Sequence, residues 1–271
     1  MSKLDEWFEI IQHKDYLFVI RENLDDIEPR LYTTYLNMYL LIGTNKALLI
    51  DTGCGLYPLK PVIKRIIKDK ELMVINTHSH FDHRGGNEEF GEIWIHEKEY
   101  KDVSKICDVL FLKYSPKQVV TRLEKNDFKY QPAKIIHPIK EHDEFDLGGI
   151  TIEIFHTPGH STGSISLLTN KNELFTGDSA HYGAMYLPKR NEFPIILESL
   201  QKLLEICNTK KKVKLYPSHE DYDVGKELLE TLINGIMNID GIWSSKKKDE
   251  FLDSWVLDDG NFKYVVDASS D

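Results

Sequence analysis

Two rhythms of apolar and polar positions run through this chain, one suited to short strands and one to amphipathic helices. Tyr16, Leu17, Phe18, Val19 and Ile20 predict a first strand, followed by a charged loop through Arg30. Residues 35–42 and 47–50 predict a hairpin that turns at Gly43-Thr44-Asn45-Lys46. Leu59, Val62, Ile63, Ile66 and Ile67 recur at helical spacing behind Pro58, which predicts a helix over 58–70. That helix leads into the apolar run Leu72-Met73-Val74-Ile75, read as a buried strand. Ile93-Trp94-Ile95 predicts another strand, and residues 98–112 a helix with a ragged apolar pattern.

Residues 113–133 contain Pro116 and Pro132, are rich in charge, and show a helical pattern only around 119–123. They read as an insertion or lid over one side of a site, or as an ordinary surface excursion. Glu144 to Gly149 carries a tight hairpin signal, and residues 150–155 alternate as a half-buried strand does. Strands follow at 163–169 and 173–178, turning at Asn170-Lys171-Asn172. An amphipathic helix over 193–207, a strand over 213–216, a helix over 224–239 and a final edge strand over 262–266 complete the prediction. No clear repeat, linker or low-complexity tract interrupts it.

Composition narrows what can be built from these elements. A chain of 271 residues that is 41% hydrophobic can bury one large core, so a single domain over 1–271 is expected. No apolar stretch approaches membrane-spanning length. The opening Met1-Ser2-Lys3-Leu4-Asp5-Glu6 lacks the basic-then-apolar order of a secretory leader, which places the expected location in the cytoplasm. Cys54, Cys107 and Cys207 are odd in number and scattered, which fits a reducing compartment rather than a disulfide framework. A net charge of −10 opposes general nucleic-acid binding, and Lys210-Lys211-Lys212 and Lys246-Lys247-Lys248 read as solvated runs. The expected partner is a small-molecule substrate, with neither nucleic acid nor membrane.

The candidate chemistry begins directly after the strand that ends near Asn76 and Thr77. His78-Ser79-His80-Phe81-Asp82-His83 places four potential metal ligands within six residues. His78 and His80 can turn both rings toward one ion, whereas the adjacent Asp82 and His83 face elsewhere and suggest a second ion. Gly85 and Gly86 let the backbone bend into a short helix. Asp51, at the end of the hairpin, either orients ligands through hydrogen bonds or serves as a turn or capping residue. Further candidates stand at later strand exits: His160 in a turn shaped by Pro158 and Gly159, Asp178 after Gly177, and His219 after Pro217 and Ser218. A carboxylate such as Asp178 can bridge two cations. His156 reads as a packing or ligand-supporting residue, His96 as structural, and Cys54 as a small buried loop residue or a ligand.

Thr77-His78-Ser79-His80-Phe81-Asp82-His83-Arg84-Gly85-Gly86, together with Asp51-Thr52-Gly53, Thr157-Pro158-Gly159-His160-Ser161, Gly177-Asp178 and Pro217-Ser218-His219, resembles the metallo-β-lactamase superfamily. The resemblance runs from about Tyr35 to His219 and implies an α/β fold, a four-layer αβ/βα sandwich of two mixed sheets flanked by helices. It implies that His78, His80 and His160 hold a first metal, that Asp82, His83 and His219 hold a second, and that Asp178 bridges them. The ions expected are two divalent metals, zinc foremost, with iron or manganese as alternatives. The motifs look like the dinuclear branch that includes glyoxalase II and lactonases, because the late cysteine ligand usual in antibiotic-cleaving members is missing.

The reaction implied is hydrolysis of a small ester, thioester or lactone by a metal-bridging hydroxide, with Asp82 orienting it. Lactonases of this superfamily carry a tyrosine three residues after the bridging aspartate. Here that position is His181, with Tyr182 beside it, and either is a candidate donor to the developing charge. Tyr57, Phe81, Tyr182 and Tyr186 are candidates for an apolar mouth. An iron-dependent sulfur dioxygenase is the alternative reading. Phosphodiester hydrolysis is disfavoured by acidity, and a non-catalytic metal-binding protein by the completeness of the ligand set.

Overall fold

The computed structural model describes residues 7–270, so the opening hexapeptide on which the leader expectation rests lies outside them. Contacts divide the chain into two compact units, Met1–Ile152 and Glu153–Asp271. No helix among the described residues is long and apolar enough to cross a membrane.

The first unit is built on a seven-stranded mixed sheet in the order β1-β2-β3-β4-β5-β6-β9. These strands are β1 (Glu9–Lys14), β2 (Leu17–Asn23), β3 (Tyr35–Ile42), β4 (Lys46–Ile50), β5 (Glu71–Ile75), β6 (Glu92–His96) and β9 (Ile135–Ile139). Antiparallel pairing joins β1 through β4, and β4, β5, β6 and β9 run parallel. Helix α1 (Lys60–Ile67) is the crossover between β4 and β5, and parallel pairing requires such a connection. Its Val62, Ile63 and Ile67 bury against Leu40, Leu49, Val74 and Ile93. Each such side chain contributes about 1.5–3 kcal/mol by leaving water. The helix stops at Lys68, whose φ of +58° breaks the helical path.

The ragged pattern over 98–112 does not form the expected helix. A single turn, α4 (Tyr100–Val103), gives way to the short strand β7 (Cys107–Asp108), which pairs with β8 (Lys129–Tyr130), and then to a 3₁₀ helix, Leu110–Tyr114. Val103, Cys107, Val109 and Leu112 are all buried, and no one helical face can hold that set. Helix α5 (Lys117–Leu123) forms where the weak pattern suggested, with Val119 and Leu123 inward. Two helical turns, α2 (Phe81–Arg84) and α3 (Asn87–Phe90), follow β5. The hairpin signal at 144–149 becomes β10 (Glu144–Asp146) and the turn into β11 (Thr151–His156), within which the chain passes to the second unit.

In the second unit β11, β12 (Ile165–Thr169), β13 (Glu173–Gly177) and β15 (Lys214–Pro217) lie side by side in that order. A further sheet, in the order β14-β18-β17-β16, contains β14 (Gly183–Leu187), β16 (Lys247–Asp249), β17 (Ser254–Asp258) and β18 (Phe262–Asp267). The strand expected at the edge is therefore central: β18 pairs with β14 in parallel and with β17 antiparallel. Consecutive burial of Tyr264, Val265 and Val266 shows that both faces of this strand are covered. Helices α6 (Phe193–Thr209) and α7 (Glu227–Met237) pack Leu200, Leu203, Leu228 and Leu232 into one core with Leu215, Leu257 and Tyr264.

Candidate metal-binding site

Parallel pairing of β4 with β5 brings Ile50 opposite Ile75, so the two strands release their following residues side by side at their carboxyl ends. Asp51 leaves β4 in a left-handed conformation, φ +64°, which an aspartate tolerates better than most residues. Its carboxylate accepts the Thr77 backbone N–H at 2.7 Å through Oδ1 and the Thr77 hydroxyl at 2.8 Å through Oδ2. Oδ2 also lies 2.8 Å from His83 Nδ1, and Thr77 Oγ1 lies 3.1 Å from His78 Nδ1. With Nδ1 of both rings donating into this buried chain, Nε2 of each is the lone pair left for a ligand. Asp51 is thus both the turn residue and the orienting carboxylate that the sequence left as alternatives.

The four ligand candidates of this unit sit close together. His78 Nε2 is 3.0 Å from His80 Nδ1, and His83 Nε2 is 3.5 Å from an Asp82 carboxylate oxygen. His78 also offers a ligand atom within 4.8 Å of one on His83. Two ring nitrogens at hydrogen-bond distance must either share a proton or face a common cation. Nitrogen and carboxylate donors at such separations fit a borderline divalent ion such as zinc.

Several supporting residues escape sequence reading. The His83 carbonyl accepts from the Asn76 amide at 2.8 Å and the Thr52 backbone N–H at 2.9 Å, and Asn87 links Asn76 to Thr52. Glu99, buried at the start of α4, accepts the Ser79 backbone N–H at 3.0 Å and so anchors the middle of the loop. Buried Glu22 accepts from Trp7 Nε1 at 2.7 Å and from the Cys54 backbone N–H at 2.8 Å. Burial holds its carboxyl above the usual carboxylate range, and the Asp82 charge adds to this. An acid inside an apolar strand was the only signal available for Glu22. Burial likewise pushes the Cys54 thiol well up, so it behaves as a neutral core side chain. His96 is buried at the end of β6, in keeping with a structural role.

The second unit repeats the device. Parallel β13 and β15 set Gly177 opposite Pro217, so Asp178 and His219 emerge from neighbouring carboxyl ends. His219 Nε2 is 3.2 Å from Asp178 Oδ2, and His160 Nε2 is 3.4 Å from the same oxygen. His160 Nδ1 lies 3.1 Å from the Tyr186 carbonyl, which turns Nε2 toward Asp178. The turn carrying His160 is clamped to α6: the Ser199 hydroxyl donates to the Pro158 carbonyl and Lys202 to the His156 carbonyl. Gly159, at φ +139°, leaves no room for a side chain against Ile196. The His156 ring bonds the Thr162 carbonyl at 3.0 Å, a loop-supporting contact.

His181 and Tyr182 part company. His181 is buried with its ring centroid 5.0 Å from that of His219, and its Nδ1 donates to the Tyr182 carbonyl at 2.7 Å. Burial, then the neighbouring His219, lowers its pKa to about 4. The ring is therefore neutral at pH 7, and in this tautomer Nε2 is an acceptor; the expected donor role needs the other tautomer. The Tyr182 ring stacks on Phe262 at 6.0 Å. Of the other aromatic candidates, Tyr57 stacks on Trp7 at 4.4 Å beneath the Arg122 guanidinium, and Phe81 meets Phe111 edge-on at 5.2 Å.

Known proteins resemble this chain along most of its length. The metallo-β-lactamase superfamily model matches residues 32–219. A Gallus gallus protein named acyl-coenzyme A thioesterase is 28% identical over 258 residues, covering 89% of this chain and 90% of its own. The "Probable metallo-hydrolase" of Methanocaldococcus jannaschii is 34% identical over 194 residues, 68% of this chain and 86% of its own. Among solved structures, a metallo-β-lactamase family protein from Thermus thermophilus superposes with a TM-score of 0.64 at 18% identity, over 89% of this chain and 87% of its own, which shows a shared fold.

Proposed function

The chain belongs to the metallo-β-lactamase superfamily, and from that premise we propose that it is a metal-dependent hydrolase of acyl thioesters. His78, His80 and His160 would hold one divalent ion and Asp82, His83 and His219 a second, with Asp178 available to both. Zinc suits the nitrogen-rich set, and three free thiols suit a reducing, cytoplasmic setting. Such ions supply a water acidified to near neutrality and polarise the acyl carbonyl.

What the chain's own groups contribute follows from their hydrogen bonds. Asp51 and Thr77 hold His78 and His83 in one tautomer and one orientation. Asp82 would accept a hydrogen bond from the attacking water and aim its lone pair. A thiolate leaves with a pKa of about 8.5, so a thioester needs far less help from a donor than an oxygen ester does. That leaves His181 a wall of the site, with Tyr182 the candidate donor to the acyl oxygen.

The observation that carries this reading is the pair of ligand sets at strand exits, in which Nδ1 of His78, His83 and His160 is held by the Thr77 hydroxyl, the Asp51 carboxylate and the Tyr186 carbonyl in turn. The thioester preference is supported by the Gallus gallus relative, which spans nearly the whole of both chains. Both relatives reported above are hydrolases by name, which favours hydrolysis over the sulfur dioxygenase alternative. The test is release of free thiol from acyl-coenzyme A esters, set beside oxygen esters, lactones and a persulfide. Turnover is expected for the thioesters at least tenfold above the rest, abolished by chelation and restored by zinc. Oxygen uptake with the persulfide and no thiol release would refute it.

A further inference from the structure

Five of the eight exposed large apolar side chains among the described residues fall within fifteen positions, at Tyr100, Ile106, Leu110, Phe111 and Tyr114. Leu110 is 49% exposed, Ile106 50% and Tyr114 74%. Concentration of that kind marks a contact surface more than it marks ordinary surface variation. The 3₁₀ helix Leu110–Tyr114 turns Leu112 into the core, beside the equally buried Val109 that precedes it, and leaves Leu110, Phe111 and Tyr114 outside.

This ridge is held in place despite its exposure. The Arg30 guanidinium donates to the Phe111 carbonyl at 3.1 Å and is itself paired with buried Glu28. The Ser115 hydroxyl donates to the same Glu28 at 2.7 Å, and the Leu110 backbone N–H is capped by Asp108 at 2.8 Å. A surface fixed before its occupant arrives binds with less ordering cost. Its inner end reaches the ligand loop, because Phe111 packs edge-on against Phe81, which lies between His80 and Asp82.

Charge points to the same occupant. From Lys98 to Lys134 there are nine lysines and arginines against five carboxylates, in a chain whose net charge is −10. Lys113 lies 4.8 Å from the Tyr114 ring centroid. An apolar strip about 10 Å long at ~2 Å rise per residue, with Lys113 set against its Tyr114 and its other end leading to the ligand loop, fits a long acyl chain carried on a phosphorylated thiol. We propose that Leu110, Phe111 and Tyr114, joined to the loop through Phe81, form the platform that seats the acyl chain and selects long-chain acyl thioesters. The proposal rests on the thioester reading for its turnover, though not for its binding.

The experiment compares wild type with the variant Leu110→Ser, Phe111→Ser, Tyr114→Ser. One arm measures kcat/KM on palmitoyl- and acetyl-coenzyme A. The other measures binding of S-hexadecyl-coenzyme A, a thioether that cannot be hydrolysed. The expected result is a fall of about tenfold or more in the palmitoyl-to-acetyl ratio, chiefly through KM, with the thioether weakened by a similar factor. Met237→Ser, exposed in the second unit, serves as control and leaves both unchanged. A ratio and a thioether affinity that both move less than twofold overturn the proposal. So does loss of binding to phosphatidylserine vesicles with the ratio intact, which would make the ridge a membrane contact. If wild type hydrolyses no thioester yet binds the thioether through the ridge, the platform stands and the thioester reading falls.

Discussion

The two ligand sets reach the same arrangement by different routes. In the first unit four candidate ligands come from six consecutive residues, and a buried carboxylate behind them sets the rings. In the second, three candidate ligands come from three separate strand exits spread over 60 residues, and register decides: β13 beside β15 is what sets Asp178 against His219. The compact set depends on its supporting hydrogen bonds, the dispersed set on its sheet. Damage should therefore show as graded loosening of metal in the first unit and as outright loss of metal in the second.

The largest expected effect is at Asp178, whose Oδ2 lies near both His160 and His219. Asp178→Ala should cost about 10³-fold in kcat/KM together with roughly half the bound metal, read by elemental analysis of the purified protein. Asp51→Asn tolerates the left-handed backbone but loses one acceptor, and should weaken metal binding by about 10–100-fold. Equal loss of metal in these two variants would erase the distinction between the units.

Acid should separate them again. His181 has its pKa lowered to about 4, so the unfolded chain takes up its proton first as pH falls. Its contribution is whole above pH ~6.5 and declines between there and about 4, by roughly 1.4 kcal/mol per pH unit at most. Urea unfolding of metal-stripped protein should show this decline, and His181→Phe should flatten it. A smaller change is expected at Arg122, whose guanidinium sits 3.4 Å from the centre of the Tyr57 ring. Arg122→Ala should lower stability by about 0.5–1 kcal/mol in the same assay, with metal content unaltered.

What could be read from the sequence follows the same division. The loop from His78 to His83 is legible because its ligands are neighbours in the chain, and the hairpin and helix before it carry clean periodicity. Strands β14 and β16 are not legible: β14 is five residues that open on Gly183-Ala184 and β16 is three residues long, so neither shows alternation. Missing them turned central β18 into an apparent edge. The helix expected over 98–112 failed because its apolar residues serve two purposes, some lining the core and some forming the exposed ridge. Nor could composition reveal the links from Asp51 to Thr77 and His83, which exist only once β4 and β5 lie parallel.

The central claim is that the histidine and aspartate ligands proposed above hold a pair of divalent ions on which thioester cleavage depends. Titrating zinc into metal-stripped protein while following thiol release from an acyl-coenzyme A ester tests it most directly. Activity should rise from nothing and level off at two equivalents per chain. Full turnover by the stripped protein, or saturation with no zinc retained, would contradict it.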